Sequence, residues 1–156
     1  MMMFRIRTIA TTIVTCISVA LSQWALADTE VLPSTALMKE QSQAMYRVLD
    51  KMVKGELPYD QGKANAAVDK LVMTSAKIPQ AFPESIKGKT STNSRYSTSP
   101  KAWSNRADFE EYAKNLSKAI AENRSKITSL EGLKGAYKEI SDACNGCHDD
   151  YRLRIR

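Results

Sequence analysis

From Pro33 onward the apolar residues recur every third and fourth position, in four stretches separated by breakers. Nowhere do they alternate over a run long enough to read as a strand. That periodicity confines the chain to amphipathic helices. The first stretch runs from Pro33 to about Lys54, with Met38, Met45, Val48, Leu49 and Met52 on one stripe and only Gln41 out of character. Gly55 is its stop signal. The second starts after Asp60, a good N-cap residue, and reaches about Ile78, with Ala64, Val68, Leu71 and Ser75 on one face and Pro79 ending it. Residues 79–100 form a long connection. Ser99 and Pro100, a cap followed by a first-turn proline, open the third stretch, which carries Phe109, Tyr112, Leu116, Ile120 and Ile127. The turn to the fourth is very short. Thr128-Ser129-Leu130-Glu131 fits a capping box with Thr128 as cap and Glu131 reaching back. Leu133, Tyr137, Ile140, Cys144 and Cys147 then continue the stripe to about Leu153, weakened at its start by Gly132 and Gly135 at about 1 kcal/mol each relative to alanine. Tight turns between amphipathic helices predict an all-α fold, an antiparallel up-down-up-down four-helix bundle. The loops that interrupt the stripes argue against a coiled-coil filament.

The first residues have a different organisation. Arg5 and Arg7 precede an apolar stretch, Ile9 to Leu21, followed by the small-x-small triplet Ala25-Leu26-Ala27. This order predicts a secretory signal peptide over residues 1–27, leaving one domain over 28–156. The alternative, an uncleaved anchor, is disfavoured because the apolar stretch falls well short of the roughly 20 residues that a bilayer crossing needs. After cleavage no stable membrane insertion is expected, and the segment implies export to an oxidising compartment. Removal of Arg5 and Arg7 lowers the formal charge from +6 to +4 and takes Cys16 as well.

Cysteine and histidine counts then become informative. The chain has three cysteines and one histidine, too few for a dense disulfide framework or a multi-histidine metal centre. Without Cys16, all that remain fall in one motif, Cys144-Asn145-Gly146-Cys147-His148. C-x-x-C-H signals covalent attachment of one c-type haem. On a helix, positions i, i+3 and i+4 share a face. Both sulfurs can therefore add to the two vinyl groups along one porphyrin edge, with His148 placed as an axial ligand of the iron. Export agrees, because such attachment occurs outside the cytoplasm. Three other readings compete: a Cys144–Cys147 disulfide, a thioredoxin-like pair, and a zinc site. The second lacks its βαβ setting, and the third lacks a fourth ligand.

Topology suggests where a second axial ligand would come from. The first and fourth helices of such a bundle are antiparallel neighbours, so His148 sits level with the start of the first helix, where Met38 stands. Met45 is about 10 Å and Met52 about 21 Å further along the axis at 1.5 Å per residue. Met38 is thus the thioether at the right height, either ligating the iron or only packing on its distal side. Lys39 and Gln41 are weaker alternatives. The long loop falls at the same end. Phe82, Tyr96 and Trp103 are candidates for covering a porphyrin edge; Lys87, Lys89, Arg95, Lys101 and Arg152 are candidates for meeting propionates or a docking partner. Arg152, Arg154 and Arg156 make a basic tail too small to predict nucleic-acid binding. No general base, nucleophile or substrate cleft is evident, so an enzyme is not predicted.

These residues resemble the class II c-type cytochromes, the family of cytochrome c′ and its low-spin relatives of the cytochrome c-556 type. The likeness lies in the C-terminal position of Cys144-x-x-Cys147-His148 and in the Asp149-Asp150-Tyr151-Arg152 that follows. Lys54-Gly55-Glu56-Leu57-Pro58-Tyr59-Asp60, Ile78-Pro79-Gln80-Ala81-Phe82-Pro83 and Ser99-Pro100-Lys101-Ala102-Trp103 add to it. The resemblance implies a left-handed four-helix bundle with covalent haem near one end. Leu37-Met38-Lys39 resembles the low-spin branch, in which methionine binds the iron. High-spin members instead keep five-coordinate iron and usually carry an arginine four residues before the distal residue, where this chain has Ser34. The resemblance therefore implies a periplasmic electron carrier, with Cys144 and Cys147 tethering haem c and His148 and Met38 ligating its iron. Its partners would be redox proteins, and a homodimer through helix faces is compatible with it. The alternative is a high-spin protein binding nitric oxide or carbon monoxide.

Overall fold

A computed structural model describes residues 31–92 and 94–155. The predicted signal peptide lies outside the described residues. Helix α1 is continuous through three parts: α-helical Pro33–Ser42, π-helical Gln43–Leu49 and α-helical Asp50–Val53. It ends as its sequence predicts. Gly55 takes φ +76°, a left-handed conformation that glycine adopts without penalty. The Gly55 amide donates to the Met52 carbonyl and the Glu56 amide to Lys51, satisfying two orphan carbonyls in a Schellman arrangement.

Helix α2, Gln61–Ser75, begins at Asp60, whose side chain accepts from the Lys63 amide at 2.9 Å. It stops before Ile78. Pro79 sits in the first turn of a separate short helix, α3 (Ile78–Ala81), so the proline opens a new turn in addition to closing the old one. The third predicted helix is also divided. Lys101–Ser104 forms α4, Asn105 breaks at φ −122° and ψ 57°, and Arg106–Arg124 forms α5. Helix α6, Leu130–Tyr151, is capped one residue later than expected. Ser129 accepts from the Gly132 amide, and Thr128 makes no cap. The expectation of no strands fails at one place. Tyr96–Thr98 (β1) and Arg152–Arg154 (β2) pair antiparallel, with Tyr96 opposite Arg154 and Thr98 opposite Arg152. Segments this short carry no readable alternation; the ribbon exists because the loop is brought against the C-terminal strand.

Polar contacts between α1, α2, α5 and α6 give the direction of each pair. Glu40 meets Lys70 between α1 and α2, and the first part of α1, Pro33–Ser42, packs on α3, just beyond the C-terminal end of α2. Asp69 meets Arg124 and Ser75 meets Ser117 between α2 and α5, so numbers rise on one as they fall on the other. Between α5 and α6, Asn123 bonds Glu139 and Tyr112 bonds Asp150. Between α1 and α6, Tyr137 donates to Asp50, while Met38 and His148 line the same cavity. The helices are therefore antiparallel in sequence order, as predicted. Their stripes meet in one core containing Leu49, Met52, Val68, Leu71, Phe109, Ile120, Leu133 and Ile140, each at most 2% exposed.

Candidate cofactor site

One end of the bundle holds a cavity of about 390 Å³, within the size range of cofactor and small-molecule pockets. Helix α6 supplies one wall, with Cys144, Cys147 and His148 projecting from its last two turns. Helix α1 supplies another, through Ser34, Met38, Gln41 and Met45. All four residues predicted for the site thus line one space. Met45, which axial spacing places far from His148, lines it too and is 3% exposed. The cavity extends far enough along α1 to touch two thioethers.

The connection after α2 closes the remaining side. Phe82 and Tyr96 line the cavity as expected; Trp103 does not. Its indole is buried and Nε1 donates to the Pro83 carbonyl at 3.1 Å, so Trp103 is a strut that fixes the loop from behind. Arg106 does similar work, and sequence reasoning missed it. Its guanidinium donates to the carbonyls of Pro79 at 2.6 Å and Phe82 at 2.9 Å, and pairs with Glu110. Ser91 accepts from the Leu32 amide and donates to Thr35, tying the same connection to the start of α1. Of the five loop and tail cations considered, only Arg152 reaches the cavity, its guanidinium lying 4.6 Å from the Tyr96 ring centroid. Lys87 pairs with Glu84, and Lys101 with Asp150. Lys89 and Arg95 do not line the cavity. Lys39 does, so both cationic side chains at the wall are cavity-facing while no carboxylate is.

Tyr151 completes the floor and was not singled out as a site residue. It packs edge-on against Phe109 at 5.1 Å and Tyr112 at 5.7 Å, and Phe109 in turn meets Phe82 at 5.0 Å. Tyr151 Oη donates to Asp108 at 2.5 Å. Burial, then the Asp108 bond, raises its phenol above the usual range, so it stays protonated. A sequence signal for Tyr151 is its i, i+3 spacing from His148, which puts both on one helix face.

The chemistry of the wall fits covalent haem. Cys144 and Cys147 are unbridged, and burial pushes both thiols up to about 11. They are neutral thiols at pH 7, three residues apart on one helix. Burial, aided by the Arg152 charge, pulls His148 down to about 4, leaving a neutral imidazole with a free lone pair. Its Nδ1 is sealed from solvent without a hydrogen-bond partner. An orphaned imidazole nitrogen in an apolar cavity is an unmet interaction of the kind a bound group would satisfy or reorient. The two sulfurs could hold a porphyrin edge and the imidazole an iron, with a thioether across the cavity. Among the described residues no group of three or more His, Cys, Asp or Glu side chains could hold a metal ion without such a group.

Comparison with known proteins agrees. The family model described as cytochrome C′ matches residues 31–152. Cytochrome c-555 of Bradyrhizobium diazoefficiens is 42% identical over 120 residues, covering 77% of this chain and 80% of that protein. Cytochrome c-556 of Rhodopseudomonas palustris is 35% identical over 150 residues, covering 96% and 97%. The NMR-validated structural model of oxidized R. palustris cytochrome c556 superposes with a TM-score of 0.70 at 36% identity, over 79% of this chain and 95% of that one.

Proposed function

This chain belongs to the cytochrome c′ family and carries covalently bound haem c, and we propose that it is a periplasmic electron carrier with low-spin iron held by His148 and Met38. The observation that carries the reading is the placement of Met38 on the cavity wall formed by α1, with Cys144, Cys147 and His148 on the wall formed by α6. The haem supplies one-electron exchange at iron. The chain's residues supply its setting. Cys144 and Cys147 tether the cofactor, so no large enclosing pocket is needed. A neutral His148 and a polarisable Met38 provide two ligands suited to both oxidation states, which keeps reorganisation small, and methionine raises the potential relative to a second imidazole. Phe82, Phe109 and Tyr151 give the cavity an aromatic lining. The partners are other redox proteins.

Localisation rests on the N-terminal segment, and among the described residues no helix is long and apolar enough to cross a membrane. The mature exported protein should begin at Asp28, which N-terminal sequencing reads directly.

The ligand set is tested by absorption spectroscopy of the haem-loaded protein. The reduced form should show a sharp low-spin spectrum that carbon monoxide barely alters, and Met38→Ala should convert it to high-spin, carbon monoxide-binding iron. Rapid carbon monoxide binding by the unmutated reduced protein would favour the gas-binding reading instead. An unchanged spectrum in Met38→Ala would remove Met38 from the iron.

A further inference from the structure

Gln41 is the one residue of the α1 stripe that the core does not explain. It is 7% exposed, lines the cavity between Met38 and Met45, and its Nε2 is sealed from solvent with no hydrogen-bond partner. His148 Nδ1 is the other sealed polar atom on this cavity without a partner, and His148 already has its place there as the residue of the attachment motif that would hold the iron. Thr35 is bonded to Ser91, and the Asp108 carboxylate to Tyr151. Burying an amide donor without a partner is costly, and a leucine or methionine would continue the stripe without that cost. The amide is therefore matched to a partner that the folded chain alone does not provide. A haem held by Cys144 and Cys147 would bring an electron-rich porphyrin to this cavity, and the thioether of Met38, three residues earlier on the same helix, lines the same wall.

We infer that the Gln41 amide donates a hydrogen bond into the haem cavity beside Met38 and thereby raises the reduction potential of the site. The sign follows from electrostatics. Reduction adds one electron to the site. An N–H dipole with its positive end inward stabilises the electron-richer state, and in a low-dielectric cavity this effect is not screened by water. Donation to a thioether sulfur acts in the same direction, because it withdraws electron density from the ligand. Hydrogen-bonded neighbours of a metal ligand are a recognised lever on redox potential. Gln41 is a positioning and tuning residue in this scheme and does not itself ligate the iron.

The inference deepens the electron-carrier reading, and the two fail differently. Spectroelectrochemical titration of the haem-loaded protein at one pH and ionic strength compares wild type with Gln41→Leu and Gln41→Glu. Gln41→Leu should retain the wild-type low-spin spectrum while its potential falls by about a tenfold change in the redox equilibrium, which for one electron is about 59 mV. Gln41→Glu, which places acceptor oxygens where the donor stood, should fall further. A Gln41→Leu protein with a wild-type spectrum and an unmoved or raised potential would overturn the inference and make Gln41 a filler of the wall. A high-spin spectrum already present in the wild type would instead count against Met38 ligation. If Gln41→Leu folds poorly, Gln41→Met, which keeps the unbranched shape and also lacks the donor, decides by the same sign.

Discussion

Arg106→Met isolates the clamp that holds one wall of the haem cavity. The methionine keeps an unbranched apolar stem near Phe109, whose ring centroid lies 5.4 Å from the guanidinium, and removes every donor. Lost are charge-assisted bonds to the carbonyls of Pro79 and Phe82, at 2.6 and 2.9 Å, and the pair with Glu110 at 2.8 Å. Fully buried, two bonds from a charged donor would contribute about 1.5–3 kcal/mol each. The Arg106 side chain is 36% exposed, so water can reach the carbonyls once the guanidinium is gone. Pro79 also keeps a backbone donor, the Phe82 amide at 3.4 Å. Those two facts reduce the expected loss to about 2 kcal/mol, and the exposed pair with Glu110 adds less than about 1. For a domain of this size that corresponds to a fall in Tm of roughly 6–10 °C. Thermal melts followed by far-UV circular dichroism on the haem-loaded protein measure it. The spectrum at low temperature should stay low-spin, because the variant touches neither tether nor ligand. A fall of less than 2 °C would show that the connection is held by Trp103 and its own turns, and that the Arg106 bonds contribute nothing net.

Two further predictions concern stability. A Cβ built on Gly132 would lie 2.0 Å from the backbone carbonyl oxygen of Lys126, whereas one on Gly135 meets nothing within 4 Å. Gly132→Ala should therefore destabilise by more than about 2 kcal/mol, because backbone must move, while Gly135→Ala should stabilise by up to about 1 kcal/mol; urea titrations giving the same sign for both would refute this. Asp50 accepts from Lys54 at 2.7 Å and Tyr137 at 2.9 Å, and the Lys54 bond is the larger cause holding its carboxyl below 3.8. A depressed folded value means that its stabilisation is full above about pH 4 and is lost as pH falls through the lower value. The Tm difference between wild type and Asp50→Asn should shrink as pH drops from 6 towards 3, and a constant difference would place its origin elsewhere.

Local signals in the sequence were sufficient for the bundle. The three-and-four periodicity, Asp60 as a cap and Gly55 as a stop act through contacts within a few residues, so they read directly from the chain. Cys144, Cys147 and His148 were legible for the same reason: helical spacing alone puts them on one face. Features that depend on distant segments were not. Ser129 takes the place of Thr128 as the cap, its hydroxyl accepting from the Gly132 amide. Trp103 was expected at the cavity and stands behind the loop, because its indole nitrogen found the Pro83 carbonyl. The Tyr96–Thr98 ribbon has no pattern of its own and exists only beside Arg152–Arg154.

By itself, then, the sequence determined four amphipathic helices, their order and a haem-attachment motif, since each is encoded in spacings shorter than about two helical turns. Helix order also put Met38, Phe82 and Tyr96 at that end, but only the tertiary structure decided the full set of side chains that share the cavity with the motif. It brought Met38 and Gln41 to face Cys144, Cys147 and His148, chose Arg152 over four other cations, and left one amide donor sealed without a partner. The physical reason is that these contacts join residues about a hundred positions apart, where no periodicity reaches and only packing fixes what meets.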